Sequence, residues 1–213
     1  MAERVSFVVD GFNLYHSLKD ASNARSPVRA RWLDLKALCQ AHLYIISTEA
    51  VLQEIYYFSA LAKHLEAKNP GLVARHELYA DAIRSTGVRV EFANFLAKQY
   101  ECPHCHQSFE RHEEKQTDVA LGSKIVELAH LGGVDTIVVL SADSDLIPAI
   151  RTTRRLFGKT RIFSAFPAGK GSNQLKKATH GNFTFSAGQY AKHQLPDPLR
   201  LPSGRILYKP SKW

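Results

Sequence analysis

The pattern of apolar and polar positions predicts that strands and helices alternate along most of the chain. Short apolar runs, rich in β-branched and aromatic residues, predict strands at 4–9 (RVSFVV), 50–60, 88–95, 136–140 (TIVVL), 160–166 and 182–185. Apolar residues at helical spacing predict helices at 11–19, 32–43, 72–84, 116–131, 143–157 and 172–178. Because the strands are apolar on both faces, we expect a mainly parallel sheet that is covered by helices on both sides.

Two segments depart from this alternation. Residues 98–115 are polar and charged and contain two cysteines and three histidines, which predicts an insertion that forms its own small unit. From residue 195 onward, four prolines and several basic residues predict an extended basic tail. We therefore expect one α/β domain over residues 1–190, which contains the Cys/His insertion, and a basic Pro-containing tail over 191–213.

Length and composition are typical of a single globular domain. The chain has 213 residues, of which 45% are hydrophobic, so it can bury a substantial core. No apolar run reaches the roughly 18 residues of a membrane helix, and the N-terminus lacks the apolar stretch of a signal peptide. Three cysteines, an odd number, do not suggest a secreted disulfide framework. We expect a cytoplasmic protein with no membrane partner.

The balance of charge points to an anionic partner. Lysine and arginine outnumber aspartate and glutamate by 28 to 20, and the formal net charge is +8. A basic surface attracts a polyanion such as nucleic acid, although many basic proteins bind nothing in particular. Lys115, Arg151 and Lys170 are the candidate phosphate contacts, and the alternative is that each lies on a solvated face. Tyr208 and Trp213 in the predicted tail are candidates for base stacking.

Four aspartates are placed where a ligand site is expected. Asp10 directly follows the first strand, Asp143 and Asp145 follow the TIVVL strand, and Asp118 opens the helix before that strand. In open α/β sheets, ligands bind at the carboxyl ends of the strands, so these carboxylates converge if the two strands are neighbours. Carboxylates in one pocket repel one another unless a cation joins them, and Mg²⁺ or Mn²⁺ suits such hard oxygen ligands. A cation held in this way can polarise a phosphate and activate water.

Helix capping is the alternative explanation for these acids. Aspartate is a favoured N-cap, and Asp118, Asp143 and Asp145 all lie at predicted helix starts. One helix takes one cap, however, so the pair at 143 and 145 exceeds what capping needs. Asp10 at the end of a buried strand is also costly without a partner.

Three motifs carry a resemblance to a known family. The stretches VVDGFNLYHSL, QTDVALGSKIVELA and VVLSADSDLIPAI, which together span residues 8–150, resemble in this order the three motifs of NYN domains of the PIN-like nuclease superfamily. The resemblance implies a flavodoxin-like three-layer α/β/α sandwich and a metal-dependent nuclease that generally acts on RNA.

The resemblance also implies roles for individual residues. Asp10, Asp118, Asp143 and Asp145 match the acids that bind Mg²⁺ or Mn²⁺, and these acids with Asn13 form the predicted catalytic set. Asn13 is expected to orient a ligand or phosphate, and Ser141 matches the small hydroxyl residue that precedes the acidic pair, where it supports the site and the substrate. Many family members carry a further acid near the end of the domain. Here that region contains His180 and no acid.

The cysteine pair suggests a second metal. Cys102 and Cys105 have the spacing of two zinc ligands, and His112 with His106 or His104 could complete a tetrahedral structural site. The alternative is a His-rich loop with free thiols. Cys39 lies in a predicted apolar helix and is expected to be a core residue.

The function predicted from the sequence is an endoribonuclease that acts on single-stranded RNA, with DNA as a less favoured substrate. An RNA-binding regulatory protein with a weak or vestigial active site is the alternative, and the sequence leaves monomer and homodimer open. A phosphatase of the haloacid dehalogenase type is disfavoured because Phe12 stands where its second aspartate is needed. Residues 169–172 (GKGS) lack the full spacing of a P-loop.

Overall fold

Strands and helices alternate along the computed structural model, which describes residues 2–213 except for the side chains of Asn94, Arg111, Glu113 and Glu114. The elements in chain order are β1 (Glu3–Asp10), α1 (Gly11–Asn23), α2 (Leu35–Gln40), β2 (Ala50–Ala60), α3 (Leu72–Ser85), β3 (Arg89–Glu101), β4 (Ser108–Lys115), α4 (Thr117–Leu131), β5 (Thr136–Leu140), α5 (Ile147–Leu156), β6 (Arg161–Phe166), α6 (Asn173–Ala178), β7 (Gly181–Thr184), α7 (Ala187–Lys192), β8 (Leu199–Arg200) and β9 (Ile206–Leu207).

One large sheet organises the chain. Its strand order is β4-β3-β2-β1-β5-β6-β7, and its strands pair in parallel except at the β3–β4 edge. This confirms the predicted mainly parallel α/β/α sandwich. The chain reverses its direction of travel across the sheet between β1 and β5, which are neighbours. The carboxyl ends of these two strands therefore flank the switch point where doubly wound folds bind ligands.

The position of β1 in the middle of the sheet explains why its sequence is mainly apolar. Phe7 and Val9 pack into the core beneath α1 and α3, whereas Val8 points to the opposite core beneath α4 and α5. All three are fully buried, because both faces of the sheet are covered. None of the helices within residues 2–213 has both the length and the apolar character needed to cross a membrane.

The helix predicted at 32–43 is shorter than expected. It begins at Leu35, because the Asp34 side chain accepts a hydrogen bond from the Ala37 amide (2.9 Å) as its N-cap, and it ends at Gln40. Trp32 and Leu33 precede the helix and bond through their backbones to Leu195 and Gln194. These apolar residues make a tertiary contact with the C-terminal segment. Their spacing alone predicted that they belong to the helix.

The segment predicted as a separate small unit at 98–115 is instead an antiparallel hairpin at the edge of the main sheet. Strand β3 continues past the predicted end at residue 95 to Glu101, turns, and returns as β4, with Glu101 paired to Ser108. Tyr100 and Phe109 stack across the hairpin with ring centroids 5.9 Å apart. The segment is polar because it extends beyond the covering helices into solvent.

The tail predicted to be extended folds back onto the core. Strands β8 and β9 form a two-stranded hairpin, and Leu195 and Leu207 are buried. Trp213 packs against Tyr79 of α3, with ring centroids 5.8 Å apart. Leucines between the prolines supply the apolar surface that holds this segment in place. The prolines and basic residues around them led to the prediction of an extended tail.

Candidate acidic active site

Three of the predicted aspartates line one cavity at the switch point. Asp10 ends β1, Asp143 follows the neighbouring strand β5, and Asp118 lies in the first turn of α4. The cavity has a volume of about 510 Å³, and Lys115 and Lys170 also line it. The topology thus brings Asp10 together with two aspartates that lie more than a hundred positions further along the chain.

Asp10 is held rigidly. Its carboxylate is 5% exposed and accepts hydrogen bonds from the Asn13 amide (2.9 Å) and the Ser141 hydroxyl (2.7 Å). The same hydroxyl accepts a bond from the Asp143 amide (3.0 Å), and the Asn13 side-chain oxygen accepts one from the Ala142 amide (3.3 Å). This network fixes the start of α1 against the loop after β5, so the two acidic motifs keep one relative position.

Gly11 allows this close approach. A Cβ atom at this position would lie 2.6 Å from the backbone oxygen of Phe58 in β2. Only glycine lets α1 begin directly after Asp10 against the neighbouring strand.

Capping explains only part of the acidic cluster. Asp10 caps α1, and Asp143 caps a short 3₁₀ turn by accepting a bond from the Asp145 amide (2.9 Å). Asp118 caps no helix, because Gln116 occupies the N-cap position of α4. Asp145 is exposed and lies with Asp118 on the adjoining surface between α4 and α5, outside the lining of the cavity.

The carboxylates in the cavity repel one another. Burial raises the pKa of Asp10, and the charges of Asp118 and Asp143 raise it further against the opposing hydrogen bonds from Asn13 and Ser141. Burial and the charges of Asp143 and Asp145 raise the pKa of Asp118. A cation in the cavity would relieve this repulsion.

The donor set fits a hard divalent cation, because its charged groups are oxygen ligands. As arranged, no three acidic, histidine or cysteine side chains of the described residues surround a point closely enough to hold an ion. Asp10, Asp118 and Asp143 are the carboxylates in the lining of this cavity that would hold such an ion.

We expect Ser141→Ala to lower the affinity for Mn²⁺ by about 10- to 100-fold, the usual effect of removing a group that orients a metal ligand. The change removes the hydroxyl that holds Asp10 and the Asp143 amide. Isothermal titration with Mn²⁺ would measure it. Ser144→Ala, in the 3₁₀ turn two residues beyond Ala142, serves as the control, and equal affinities for both variants would contradict this role.

We expect Asp118→Asn to raise the Tm of the metal-free protein at about pH 7 by no more than about 2–4 °C, since the side chain is exposed. Folding raises the pKa of Asp118, so its contribution to stability is present below the ordinary pKa and is lost as the pH rises through the raised value. Asparagine avoids this loss. Melting curves at about pH 4 and pH 7 test this pH dependence. A difference in Tm between Asp118→Asn and wild type that is as large at pH 4 as at pH 7 would contradict it.

Only some of the remaining predicted substrate contacts lie at the cavity. Lys115 and Lys170 line the cavity, whereas Arg151 is exposed on α5 and does not belong to its lining. Ser141 is fully buried, so its hydroxyl supports the aspartates and does not face the cavity surface. Sequence reasoning missed Phe12 and His16 as cavity residues. Their signal was the i, i+4 spacing on α1 directly after Asp10.

His180, in the region where the family resemblance predicts a further acid, lies near the amino ends of β6 and β7, away from the carboxyl ends of β1 and β5 that carry the acidic cavity. Its ring nitrogen accepts a hydrogen bond from the amide of Ile162, near the start of β6 (2.9 Å). This histidine connects β6 to the start of β7 and takes no part in the acidic cavity.

The predicted zinc ligands are not all brought together. Cys102 and Cys105 meet in the turn of the β3–β4 hairpin, where amides of Cys105 and His104 donate to the Cys102 sulfur and lower its pKa. His106 faces Glu101 at 2.7 Å. His112 lies four residues beyond the start of β4, roughly 13 Å along the strand at about 3.4 Å per residue, and stacks on His64. Cys39 is fully buried, as predicted.

The sheet and its covering helices form the PIN-like α/β/α sandwich. The sequence profile of the NYN domain matches residues 4–187, and the chain belongs to the NYN domain family of the PIN-like superfamily. A search of curated proteins gave no match. The fold is similar to the crystal structure of a protein of unknown function from Vibrio parahaemolyticus RIMD 2210633, with a TM-score of 0.57 and 13% identity over 87% of this chain and 94% of that one.

Proposed function

We propose that this protein is a divalent-metal-dependent endoribonuclease that hydrolyses single-stranded RNA. The observation that carries the proposal is the convergence of Asp10, Asp118 and Asp143 on one cavity that two lysines also line. Three carboxylates with one divalent ion and two lysines leave a net positive cavity, which favours a phosphate group.

The chain's own side chains position the reacting groups. When bound, Mg²⁺ or Mn²⁺ supplies a Lewis acid for the phosphate and an activated water. Asp10, locked by Ser141 and the Asn13 amide, and Asp143 provide fixed carboxylate ligands. Asp118 completes the set, and Asp145 at the rim supports it from outside the cavity. Lys115 and Lys170 bind phosphate oxygens of the strand that crosses the cavity.

Substrate class is tested with end-labelled single-stranded RNA, an RNA hairpin and the matching single-stranded DNA, each incubated with Mg²⁺, Mn²⁺ or EDTA. We expect internal cuts in single-stranded RNA that require either metal, weaker cutting in the duplex stem and little in DNA. Equal cutting of RNA and DNA would overturn the RNA assignment. Metal-independent RNA binding with no cutting would favour the regulatory alternative.

We propose that zinc joins two copies of the chain at the hairpin turn. Cys102 and Cys105 lie close enough for their sulfurs to interact, at the exposed end of an arm that projects from the sheet. The described residues of one chain supply this pair and no third metal ligand beside it. Two such pairs supply the four thiolates of a closed structural zinc site.

Wild-type protein is expected to have a dimeric mass and to contain one zinc per two chains. Cys102→Ser is expected to be a monomer that contains no zinc. Metal content and light scattering measure both quantities. His106→Gln and His112→Gln should keep the zinc and the dimer. Loss of zinc in either histidine variant with an unchanged monomeric mass would instead support the Cys₂His₂ site within one chain.

A further inference from the structure

A second cavity adjoins the acidic one. It has a volume of about 310 Å³, at the small end of the range for pockets that hold a small organic group. Its wall is mainly aromatic and includes Phe12, Tyr15, Phe95 and Trp213. Such faces bind flat, unsaturated rings by stacking. The cavity therefore suits a planar ring more than a flexible chain.

Polar atoms of this wall lack partners. Arg31 Nε, His64 Nδ1 and His76 Nε2 are buried without a hydrogen-bond partner in the described part of the chain, and all three residues line this cavity. Buried polar atoms in proteins are normally satisfied, so three exceptions around one space indicate a ligand with complementary groups.

The two histidines offer both kinds of hydrogen bond. Burial lowers the pKa of His76 to about 4 and also lowers the pKa of His64, so both rings are neutral at physiological pH. A neutral imidazole has one donor and one acceptor nitrogen, whereas Arg31 Nε is a donor only. The wall can therefore match a ring edge that carries both donors and acceptors, as nucleobases do.

Continuity with the acidic cavity identifies the occupant. Phe12 and His16 line both cavities, because they lie one turn apart on α1 directly after Asp10. A group in the aromatic cavity is therefore next to the phosphate expected beside the aspartates.

We propose that the aromatic cavity binds one unpaired nucleobase of the strand whose phosphate lies at Asp10, Asp118 and Asp143. The base stacks among the aromatic rings, and its edge bonds to Arg31, His64 and His76. This inference rests on the proposed function and makes its substrate specific: an RNA segment in which a base can leave its stack. A paired base cannot enter the cavity, so single-stranded substrate is required.

The test uses binding, not cleavage. Fluorescein-labelled RNA octamers, each with one abasic nucleotide at a different position, are titrated against Asp143→Asn protein in excess Mn²⁺. Removing a stacked base typically weakens binding about tenfold or more. We expect such a loss at one or two adjacent positions and less than about twofold elsewhere. Equal small losses at every position would overturn the proposal.

Variants of the cavity locate the effect. His76→Phe should bind intact RNA about tenfold more weakly. It should bind the octamer that is abasic at the sensitive position as tightly as the protein with the unaltered cavity does. Its Tm should rise, because an unpartnered buried nitrogen is removed. Trp213→Ala provides a second variant if His76→Phe folds poorly. Tyr44→Ala, whose ring is 69% exposed and lies outside the cavity lining, is the matched control. Equal weakening of intact and abasic RNA by both cavity variants would contradict base binding.

Failure of the two proposals can be told apart. Position-specific base dependence without any cleavage would leave the base cavity standing and remove the nuclease. If metal-dependent cleavage of the octamers has the same rate whichever position is abasic, the nuclease proposal stands and the base cavity is rejected.

Discussion

Asp143→Asn is expected to lower the rate of RNA cleavage on the order of 10³-fold or more and to leave the fold intact. The carboxylate is one of the two fixed oxygen ligands, and a neutral amide binds a divalent cation weakly, so the transition-state charge loses its main support. The fold survives because asparagine is as good an N-cap as aspartate and can still accept from the Asp145 amide. Single-turnover cleavage in Mn²⁺ measures the rate.

Asp34→Asn is the matched control. Asp34 accepts a backbone amide at the start of α2 at 2.9 Å, the same length as the bond that Asp143 accepts, but it lies outside the acidic cavity. It should therefore cleave RNA at the wild-type rate. Wild-type cleavage by Asp143→Asn would remove this residue from the catalytic set, and a comparable loss in Asp34→Asn would show that capping, not metal binding, had been disturbed.

Trp32→Ala is expected to lower the free energy of unfolding by about 3–5 kcal/mol, the usual cost of truncating a fully buried tryptophan. Trp32 is 1% exposed, its indole donates to the Pro196 carbonyl (3.0 Å), and its carbonyl accepts the Leu195 amide (2.9 Å). The variant therefore creates a cavity at the place where the C-terminal segment joins the core. Urea unfolding monitored by far-UV circular dichroism measures the loss.

The same variant distinguishes a docked segment from an extended tail. If residues 195–213 pack as described, limited proteolysis should cut them faster in Trp32→Ala than in wild type. Tyr44→Ala, at an exposed aromatic, should change neither stability nor proteolysis. A loss below about 1 kcal/mol with unchanged proteolysis would contradict the packing of this segment.

Local patterns were sufficient to predict the sheet and the acids. Strand β1 is apolar on both faces, so its burial could be predicted from its sequence, whereas its place in the strand order could not. Asp10 could be placed at a strand end because it directly follows an apolar run, and Asp143 because it lies three residues beyond the TIVVL run. Their convergence still depended on β1 and β5 being neighbours, which the topology now shows.

Contacts distant in the sequence could not be predicted in this way. Trp32 and Leu33 continued an apolar periodicity but pair with residues 194–196, so the helix was predicted too long. The hairpin turn separates Cys102 from His112, although their spacing in sequence suits zinc. The aromatic cavity collects Arg31, His64, His76 and Trp213 from four separate segments, and no periodicity or motif connects them.

The most direct test of the central claim follows one sample of wild-type protein through removal and return of metal. Internal cleavage of labelled single-stranded RNA is measured in Mn²⁺, after excess EDTA, and after Mn²⁺ is added back beyond the chelator. Cleavage should stop in EDTA and resume at its original rate when Mn²⁺ is returned. Cleavage that continues in EDTA, or RNA that stays bound and intact in all three conditions, would contradict a metal-dependent nuclease at the acidic cavity.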